Sequence, residues 1–230
     1  MTRLALTLAV AALAVPAVAH AQDGWGDWSF NASVGTDNRS KGASKSEGDP
    51  FALAGVEWTD ASGLFYIAAE GETIDHSTGS QLEAGLNAGW RPEAAGFEFD
   101  FNAAHKWYLD ANPGTDDDAW EFTADVSRDL SERVDARLRF QYSPDSAGGT
   151  RSWTWVEARG RVRLTDRIRA SAAVGRREQV NSRDYTAWNI GADFEINDWA
   201  SLDVRWYDTD VANPSATYES ALVAVLNVGF

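Results

Sequence analysis

Apolar and polar residues alternate one by one along most of the chain. Around position 86, Leu82 and Trp90 fall on one face of an extended segment, while Gln81 and Glu83 fall on the other. A period of two residues is typical of β-strands that have one apolar and one polar face. The alternation predicts about twelve strands, at residues 28–35, 51–58, 64–70, 82–90, 97–103, 120–127, 134–141, 153–164, 168–177, 188–196, 201–207 and 218–230.

The last predicted strand keeps this alternation up to the final residue. One predicted face carries Tyr218, Ser220, Leu222, Ala224, Leu226, Val228 and Phe230. Soluble domains usually end in a frayed polar segment instead. A terminal phenylalanine preceded by alternating apolar residues resembles the assembly signal of Gram-negative outer-membrane proteins. We therefore expect the last strand to close a barrel, and Phe230 to engage the outer-membrane assembly machinery.

The distribution of charge and the connection lengths favour a membrane barrel over a soluble β-sandwich, whose strands also alternate. Charged residues fall on one face of the predicted strands. The other face is almost entirely aliphatic and aromatic. Short and long connections also alternate, as periplasmic turns and extracellular loops do in bacterial barrels. The predicted short connections are residues 59–63, 128–133, 165–167 and 197–200, and the long ones are residues 37–50, 71–80, 109–118, 143–151, 176–184 and 208–217.

Aromatic residues fall near the ends of the predicted strands. With a periplasmic N-terminus, the inner edge carries Trp28, Trp58, Trp90 and Phe230, and the outer edge carries Trp107, Trp120, Tyr142, Trp188, Trp206 and Tyr218. Two such girdles are typical of transmembrane barrels. The sequence therefore predicts an all-β, single closed antiparallel transmembrane β-barrel in the outer membrane of a Gram-negative bacterium, in contact with membrane lipid and lipopolysaccharide. A secreted, tryptophan-rich, carbohydrate-binding β-sandwich is the alternative of a different class.

The N-terminal segment and the composition narrow the class further. Arg3, an apolar stretch and a small-residue cleavage site predict a signal peptide over residues 1–21, which leaves residues 22–230 as the barrel. The chain has no cysteine, so disulfides and thiolate metal sites are excluded. Its formal net charge of −15 would repel phosphates, so nucleic acid is not expected as a partner.

The segment "TDNRSKGASKSEGDPFALAGVEWTDASG", residues 36–63, resembles the start of the barrel in the TorF-type porin family of proteobacterial outer-membrane proteins. Asp37, Gly42 and Ser44 stand at matching positions, and Lys41 takes the place of the family's arginine. The family's aromatic residues in this motif are replaced by polar ones. The resemblance implies an outer-membrane barrel and gives these four positions as family-motif residues.

The charges on the predicted inward face form groups of opposite sign. The basic group is Arg137, Arg139, Arg159, Arg161, Arg163, Arg169 and Arg177, and the acidic group is Glu83, Glu98, Asp100, Glu121 and Asp125, followed by Asp193, Glu195 and Asp203. Twelve strands enclose a narrow lumen, so such charges decide whether solutes pass. We predict a channel for passive diffusion of small polar or charged solutes, with a basic wall facing acidic ones. A basic track also suits an anionic solute such as an acidic sugar.

Two other functions remain open for such a barrel. Opposed arginines and carboxylates that pair with one another would plug the lumen and leave a structural or surface role. A lipid A-modifying enzyme would need a nucleophile beside a base. After cleavage only His76 and His105 remain, and neither is flanked by a serine that a strand would place on the same side. We expect no catalytic residue and predict that the protein is not an enzyme.

The acidic segment 110–118 is the one stretch with metal-like spacing. It lacks the order of an EF-hand because Gly114 takes the fifth position, where a ligand is required. A solvated outer loop that shares divalent ions with lipopolysaccharide phosphates fits this composition better. The sequence carries no cofactor motif, so neither a metal nor a cofactor is expected.

Overall fold

The computed structural model describes residues 24–230, and the predicted signal peptide lies outside the described residues. The strands in chain order are β1 (Asp27–Gly35), β2 (Arg39–Ser40), β3 (Ala43–Ser44), β4 (Phe51–Thr59), β5 (Phe65–Thr73), β6 (Leu82–Trp90), β7 (Glu93–Ala94), β8 (Phe97–Leu109), β9 (Asp118–Ser131), β10 (Val134–Ser143), β11 (Trp153–Thr165), β12 (Ile168–Gln179), β13 (Tyr185–Asn197), β14 (Ala200–Thr209) and β15 (Ala221–Gly229). Across these residues, no helix has the length and apolarity needed to cross a membrane.

Twelve of these strands form one closed antiparallel barrel, which confirms the predicted fold class. Each strand pairs with its neighbour in the chain, β6 pairs with β8, and β1 pairs with β15 to complete the ring. Closure leaves no open sheet edge, so the backbone groups of every barrel strand find partners within the protein. The short strand β7 adds to one end of β8, and β2 and β3 form a separate small hairpin.

The two faces of the barrel differ as the alternation predicts. In β6, Leu86 points outward and keeps 54% of its surface exposed, whereas Glu83 points into the barrel and is 2% exposed. Large apolar side chains cover most of the outer face of the barrel; they include Trp28, Phe65, Leu138, Val156, Ile190 and Leu222. A band of this kind is stable only when lipid covers it.

The barrel has a short-turn end and a long-loop end. The connections at the short-turn end are residues 60–64, 91–96, 132–133, 166–167 and 198–199, and those at the long-loop end are residues 36–50, 74–81, 110–117, 144–152, 180–184 and 210–220. The connections thus alternate in length as predicted, except that residues 91–96 at the short-turn end outnumber residues 180–184 at the long-loop end. Outward-facing Trp28, Trp58 and Trp90 lie near the short-turn end, and Trp120 and Trp188 near the long-loop end.

The prediction that Tyr218 belongs to the outer face of the last strand is wrong. β15 begins only at Ala221, and the amide of Tyr218 donates a 2.8 Å hydrogen bond to the carbonyl of Ser215 within a turn. The ring of Tyr218 packs edge-on against that of Tyr185, with centroids 5.1 Å apart. The local turn, rather than the period of two, sets the direction of this side chain.

Candidate functional site in the barrel lumen

The connection between β1 and β4 is folded into the barrel, where the sequence predicted an outer loop. This segment, residues 36–50, contains the β2–β3 pair and is called the inner hairpin below. Its tip has left-handed backbone conformations at Lys41 (φ 54°) and Gly42 (φ 79°). A Cβ atom at Gly42 would lie 2.2 Å from Cβ of Ala187 on β13. Only glycine lets the tip approach the opposite wall this closely.

A buried carboxylate holds the shape of the inner hairpin. Asp37 accepts hydrogen bonds from Oγ of Ser44 (2.5 Å) and Oγ of Ser46 (3.1 Å), and it pairs with Nε of Arg39 at 2.5 Å. The side chains of Asp37 and Arg39 are almost completely buried. Asp37, Lys41, Gly42 and Ser44, which the sequence analysis predicted as residues of a family motif, are therefore brought together in one folded unit.

Alternating lysines and glutamates link the inner hairpin to the barrel wall. Lys45 of the hairpin pairs with Glu72 on β5 and lies 2.7 Å from Glu83 on β6. The chain of charges continues through Lys106 on β8, which lies 3.2 Å from Glu83 and 3.9 Å from Glu121 on β9. It ends at the tip, where Nζ of Lys41 lies 3.0 Å from Oε2 of Glu121. Three positive and three negative charges leave this Lys–Glu chain neutral.

The environment of Lys41 disfavours its charge. Burial is the largest effect and lowers the pKa of Lys41 to about 8, while Glu121 opposes the shift and the nearby Lys106 and Arg177 add to it. Its Nζ atom also lies 4.6 Å from the centre of the Trp153 ring. The tip of the hairpin thus carries a buried ammonium whose charged form is disfavoured mainly by desolvation.

Part of the lumen is aromatic, which corrects the expectation of a uniformly wet and charged interior. Trp153, Trp155, Tyr185, Ala187 and Val211 form a buried cluster inside the barrel, and Ala43 of the hairpin packs against it. The hydroxyl of Tyr185 donates a 3.1 Å hydrogen bond to the carbonyl of Lys41. The cluster therefore gives the inner hairpin an apolar surface on which to dock.

The predicted arginines all lie on the lumen face of β10, β11 and β12. Most of them pair with carboxylates on adjacent strands. The ion pairs are Arg139–Asp125 (2.5 Å), Arg137–Glu157 (2.6 Å), Arg161–Asp135 (2.7 Å) and Arg169–Glu195 (2.8 Å). These contacts run along the wall, because each joins neighbouring strands. Carboxylates are thus interleaved with the arginines, which differs from the expected separation into walls of opposite sign.

Three arginines carry charge that the wall does not neutralise. Arg159 lies opposite Arg137 in the β10–β11 ladder, and Arg163 lies opposite Arg169 in the β11–β12 ladder. Within residues 24–230, neither Arg159 nor Arg163 forms an ion pair, and Nε of Arg159 is buried without a hydrogen-bond partner. Arg177 lies nearer the long-loop end, with its guanidinium 4.4 Å from the centre of the Trp153 ring.

The structure separates the predicted acidic residues. Asp125 joins the arginines and Glu121 joins the Lys–Glu chain. Asp100 lies near the short-turn end, where it accepts a 2.9 Å hydrogen bond from the hydroxyl of Tyr66. The side chain of Glu98 is exposed beside Ser127, whose hydroxyl donates to it across 3.4 Å.

Charged residues that the sequence analysis did not assign also line the lumen. Arg91, in the connection after β6, pairs with Glu57 at 2.7 Å and covers the ring of Tyr66 at 3.7 Å. Lys45 and Lys106 connect the hairpin with the wall. The alternation could have predicted an inward Lys106, because this residue lies an even number of positions after the inward Asp100 on the same strand.

Three polar cavities follow one another along the lumen. A cavity of about 310 Å³, here called the outer vestibule, lies on the long-loop side of the inner hairpin. A second cavity of about 300 Å³ shares Ser40, Lys45 and Lys106 with it. The third, about 260 Å³, shares Glu70 with the second and reaches Arg91 near the short-turn end. The barrier between the first two cavities is therefore formed by the hairpin and the Lys–Glu chain.

Neither histidine has the surroundings of a catalytic base. His105 faces outward between Trp107 and Trp120, with ring centroids 4.4 and 4.6 Å away, and its Nε2 lies 2.8 Å from Asp118. His76 lies in a connection at the long-loop end, where burial lowers its pKa and its Nδ1 contacts the hydroxyl of Thr78 at 3.0 Å. Among the described residues, no group of three or more acidic or histidine side chains is arranged to hold a metal ion.

Comparison with known protein families finds one family profile that matches almost the whole chain. A profile described as a bacterial protein of unknown function (Gcw_chp) matches residues 19–228. The chain belongs to the Gcw_chp family. No curated relative matches its sequence.

Solved structures similar to this Gcw_chp protein are outer-membrane channels. The KdgM porin superposes with a TM-score of 0.61 at 6% identity, over 88% of this chain and 98% of the porin. The NanC porin gives 0.58 at 7% identity, over 87% and 98%. The COG4313 outer membrane channel from Pseudomonas putida F1 gives 0.57 at 10% identity, over 91% and 98%. At such low identity the likeness shows the fold alone, and the resemblance to TorF-type porins stays a prediction.

Proposed function

We propose that this Gcw_chp protein is an outer-membrane channel through which small polar or charged solutes diffuse passively. The observation that carries the proposal is the series of three polar cavities inside a closed barrel with an apolar outer face. The short turns would then face the periplasm, the long loops the exterior, and lipid and lipopolysaccharide the aromatic girdles. Removal of residues 1–21 on export and assembly through Phe230 belong to the same proposal, as does membership of the TorF-type porins.

The direction of the ion pairs supports an open lumen over a plugged one. Pairs such as Arg139–Asp125 and Arg161–Asp135 join adjacent strands, so they neutralise charge without crossing the lumen. The contacts that do cross it come from the inner hairpin, through Lys41 and Lys45. The channel is therefore narrowed by the inner hairpin, which is a segment separate from the barrel wall.

The unpaired arginines favour anionic solutes. Arg159 and Arg163 add positive charge to a wall whose other arginines are neutralised locally. Such a wall attracts and orients negatively charged solutes. A KdgM porin has been solved in complex with disordered oligogalacturonate, which is an acidic saccharide. The shared fold makes an acidic sugar a reasonable first solute to test.

A sealed barrel with a structural, surface or lipid A-modifying role is the second candidate. The hairpin favours it, because its contacts reach β5, β6, β9, β11 and β13 and thus most of the circumference. In that case the cavities on the two sides of the hairpin would never connect, and neither solutes nor ions would pass through the barrel.

Single-channel recording in a planar lipid bilayer separates the two candidates. The folded wild-type protein should give discrete conductance steps with a preference for anions. The triple variant R159A/R161A/R163A should lose much of this preference while it keeps the steps. The double variant R128A/R176A serves as the control, since both arginines point outward. Absence of steps from the wild type would support the sealed barrel, and an ion preference unchanged in the triple variant would remove the role of the arginine wall. Lipid A analysis with and without the protein tests the enzymatic role.

A further inference from the structure

The outer vestibule is open to the long-loop end and has a basic and aromatic floor. Its floor and walls include Lys41, Lys106, Trp153, Arg177, Tyr185 and Tyr218. A volume of about 310 Å³ lies at the lower end of the range of about 300–1,000 Å³ that small-molecule sites occupy. The vestibule can therefore hold one small molecule, but not a folded segment of a polymer.

Arg177 is the cation of this cavity that lacks a carboxylate partner. In the described part of the chain it forms no ion pair, although its neighbour Arg176 pairs with Asp184 and Asp210 on the outer side. The Nε atom of Arg177 is buried and has no hydrogen-bond partner. Buried polar groups are rarely left unpaired, so Arg177 is a cation of this cavity whose hydrogen-bonding capacity the described part of the chain does not fill.

Two other cations of the vestibule lie near one shared carboxylate. Lys41 and Lys106 are 3.0 and 3.9 Å from Glu121, and Lys106 is also 3.2 Å from Glu83. Burial is the main cause of the lowered pKa of Lys41, Glu121 opposes the shift, and the nearby Lys106 and Arg177 add to it, so both cations repel Lys41. An anion bound between Arg177 and Lys41 would relieve this repulsion.

The rim of the vestibule carries several hydroxyl groups besides the carboxylates of Glu47 and Asp75. Its hydroxyl-bearing members include Ser40, Ser146, Thr150, Ser182 and Thr217. Hydroxyl groups both donate and accept hydrogen bonds, which suits a ligand that itself carries several hydroxyl groups. Inorganic anions such as phosphate would use the cations of the floor but leave most of this rim without partners.

We propose that the outer vestibule is a binding site for a sugar acid, a monosaccharide that carries one carboxylate. The carboxylate is bound by the guanidinium of Arg177 with the ammonium of Lys41 beside it, and the ring hydroxyls are bound by the hydroxyl-bearing rim. As the first solute site on a transport route it rests on the proposed channel function. Binding itself needs only the vestibule.

Isothermal titration calorimetry of the complete barrel in detergent tests this site. D-glucuronate should bind to the wild type, and D-glucose, which has a hydroxymethyl group in place of the carboxylate, should bind at least about tenfold more weakly. R177Q should weaken glucuronate binding by about the same factor, and R177K should restore part of it. R176Q is the matched control, because Arg176 is adjacent in the chain but points outward. Its affinity should equal that of the wild type.

Each contrary result has a defined meaning. Equal binding of glucose and glucuronate to the wild type, or equal weakening by R177Q and R176Q, would overturn the site, and the first comparison needs no variant to fold. Inorganic phosphate that binds as tightly as glucuronate would show a general anion site and also overturn the sugar assignment. A barrel that binds glucuronate but gives no conductance would refute the channel alone, whereas one that conducts without binding would refute only the vestibule site.

Discussion

The ammonium of Lys41 lies 3.0 Å from the carboxylate of Glu121, and the pair joins the tip of the inner hairpin to the opposite wall of the barrel. The two partners are not equivalent. Glu121 also accepts a 2.7 Å hydrogen bond from Gln141 and has Lys106 at 3.9 Å. Within the described residues, Lys41 has no second carboxylate at ion-pair distance. Loss of Glu121 should therefore disturb the position of the hairpin more than loss of Lys41.

Replacement of the acid should release the tip. E121Q leaves a buried ammonium without a countercharge, which costs about 3–5 kcal/mol when one member of a buried pair is removed. The hairpin then leaves the wall, and we expect single-channel conductance to rise several-fold. K41M removes the ammonium while Glu121 keeps Gln141 and Lys106, so its conductance should stay close to that of the wild type. A larger rise for K41M than for E121Q would contradict this asymmetry.

The inner hairpin should become more firmly inserted as the pH rises above about 8. Burial lowers the pKa of Lys41 to about 8 in the inserted hairpin, against an ordinary value of 10.5 in water. Between these values the inserted form prefers the neutral amine, while an extruded, hydrated Lys41 stays protonated. Rising pH therefore favours insertion, by up to about 1.4 kcal/mol for each unit of pKa difference.

Channel recordings over this pH range check the sign of the effect. Opening events in the wild type should become rarer from pH 8 to pH 10.5, and K41M should lack this part of the dependence. Glu121, Lys106 and Arg177 face Lys41 from β9, β8 and β12, so their charges remain in the control. Openings that become more frequent over this range in the wild type alone would contradict the prediction.

Gly42 and Gly48 offer a pair of substitutions that differ only in available space. Both have positive φ angles, 79° and 87°, so alanine costs about 1–2 kcal/mol of backbone strain at either position. At Gly42 the added Cβ also meets Ala187 at 2.2 Å, whereas nothing lies within 4 Å at Gly48. We expect G42A to move the tip off the wall and raise conductance, and G48A to leave conductance unchanged. Similar conductance for both variants would show that the close approach does not matter.

Phe230 should stabilise the closing ladder through its backbone and its ring. Its amide and carbonyl exchange hydrogen bonds of 3.0 and 2.8 Å with Phe30, and the two rings stack with centroids 5.9 Å apart. Deletion of Phe230 should lower the temperature at which the barrel unfolds in detergent electrophoresis by more than F230A does, because F230A retains the backbone pair. Equal unfolding temperatures for both variants would locate the whole effect in the ring.

The barrel itself could be predicted because its determinants are repeated in every strand. In every strand, outward residues such as Leu86 are mostly apolar and inward residues such as Glu83 are mostly polar. Lipid outside a closed barrel imposes this alternation on all strands. A single strand that departs from the alternation therefore does not change the prediction, because the remaining strands still indicate a barrel. Trp153 and Trp155 lie an even number of residues before Arg159 on the same strand, so the alternation predicts that they also point inward. The sequence analysis did not use this prediction.

The inner hairpin could not be predicted from the same rule. Its conformation depends on contacts between residues far apart in the chain, such as Lys41 with Glu121 and Gly42 with Ala187. Polar residues in a connection are equally compatible with water outside the barrel and with charges inside it. The turn that redirects Tyr218 is likewise a local hydrogen-bond pattern that alternation does not reveal. For this reason the arginines were predicted as the decisive lumen residues, and the lysines that cross the lumen were not.

The pairing of β1 with β15 makes the first and last parts of the chain direct neighbours. The hydroxyl of Ser33 donates to the amide oxygen of Asn227 at 2.8 Å, across 194 positions of sequence. Contacts between residues that lie so far apart in the sequence form slowly during folding. The ring therefore cannot close before β15 has been synthesised, so the first strand has to wait for the last one before both of its edges are paired.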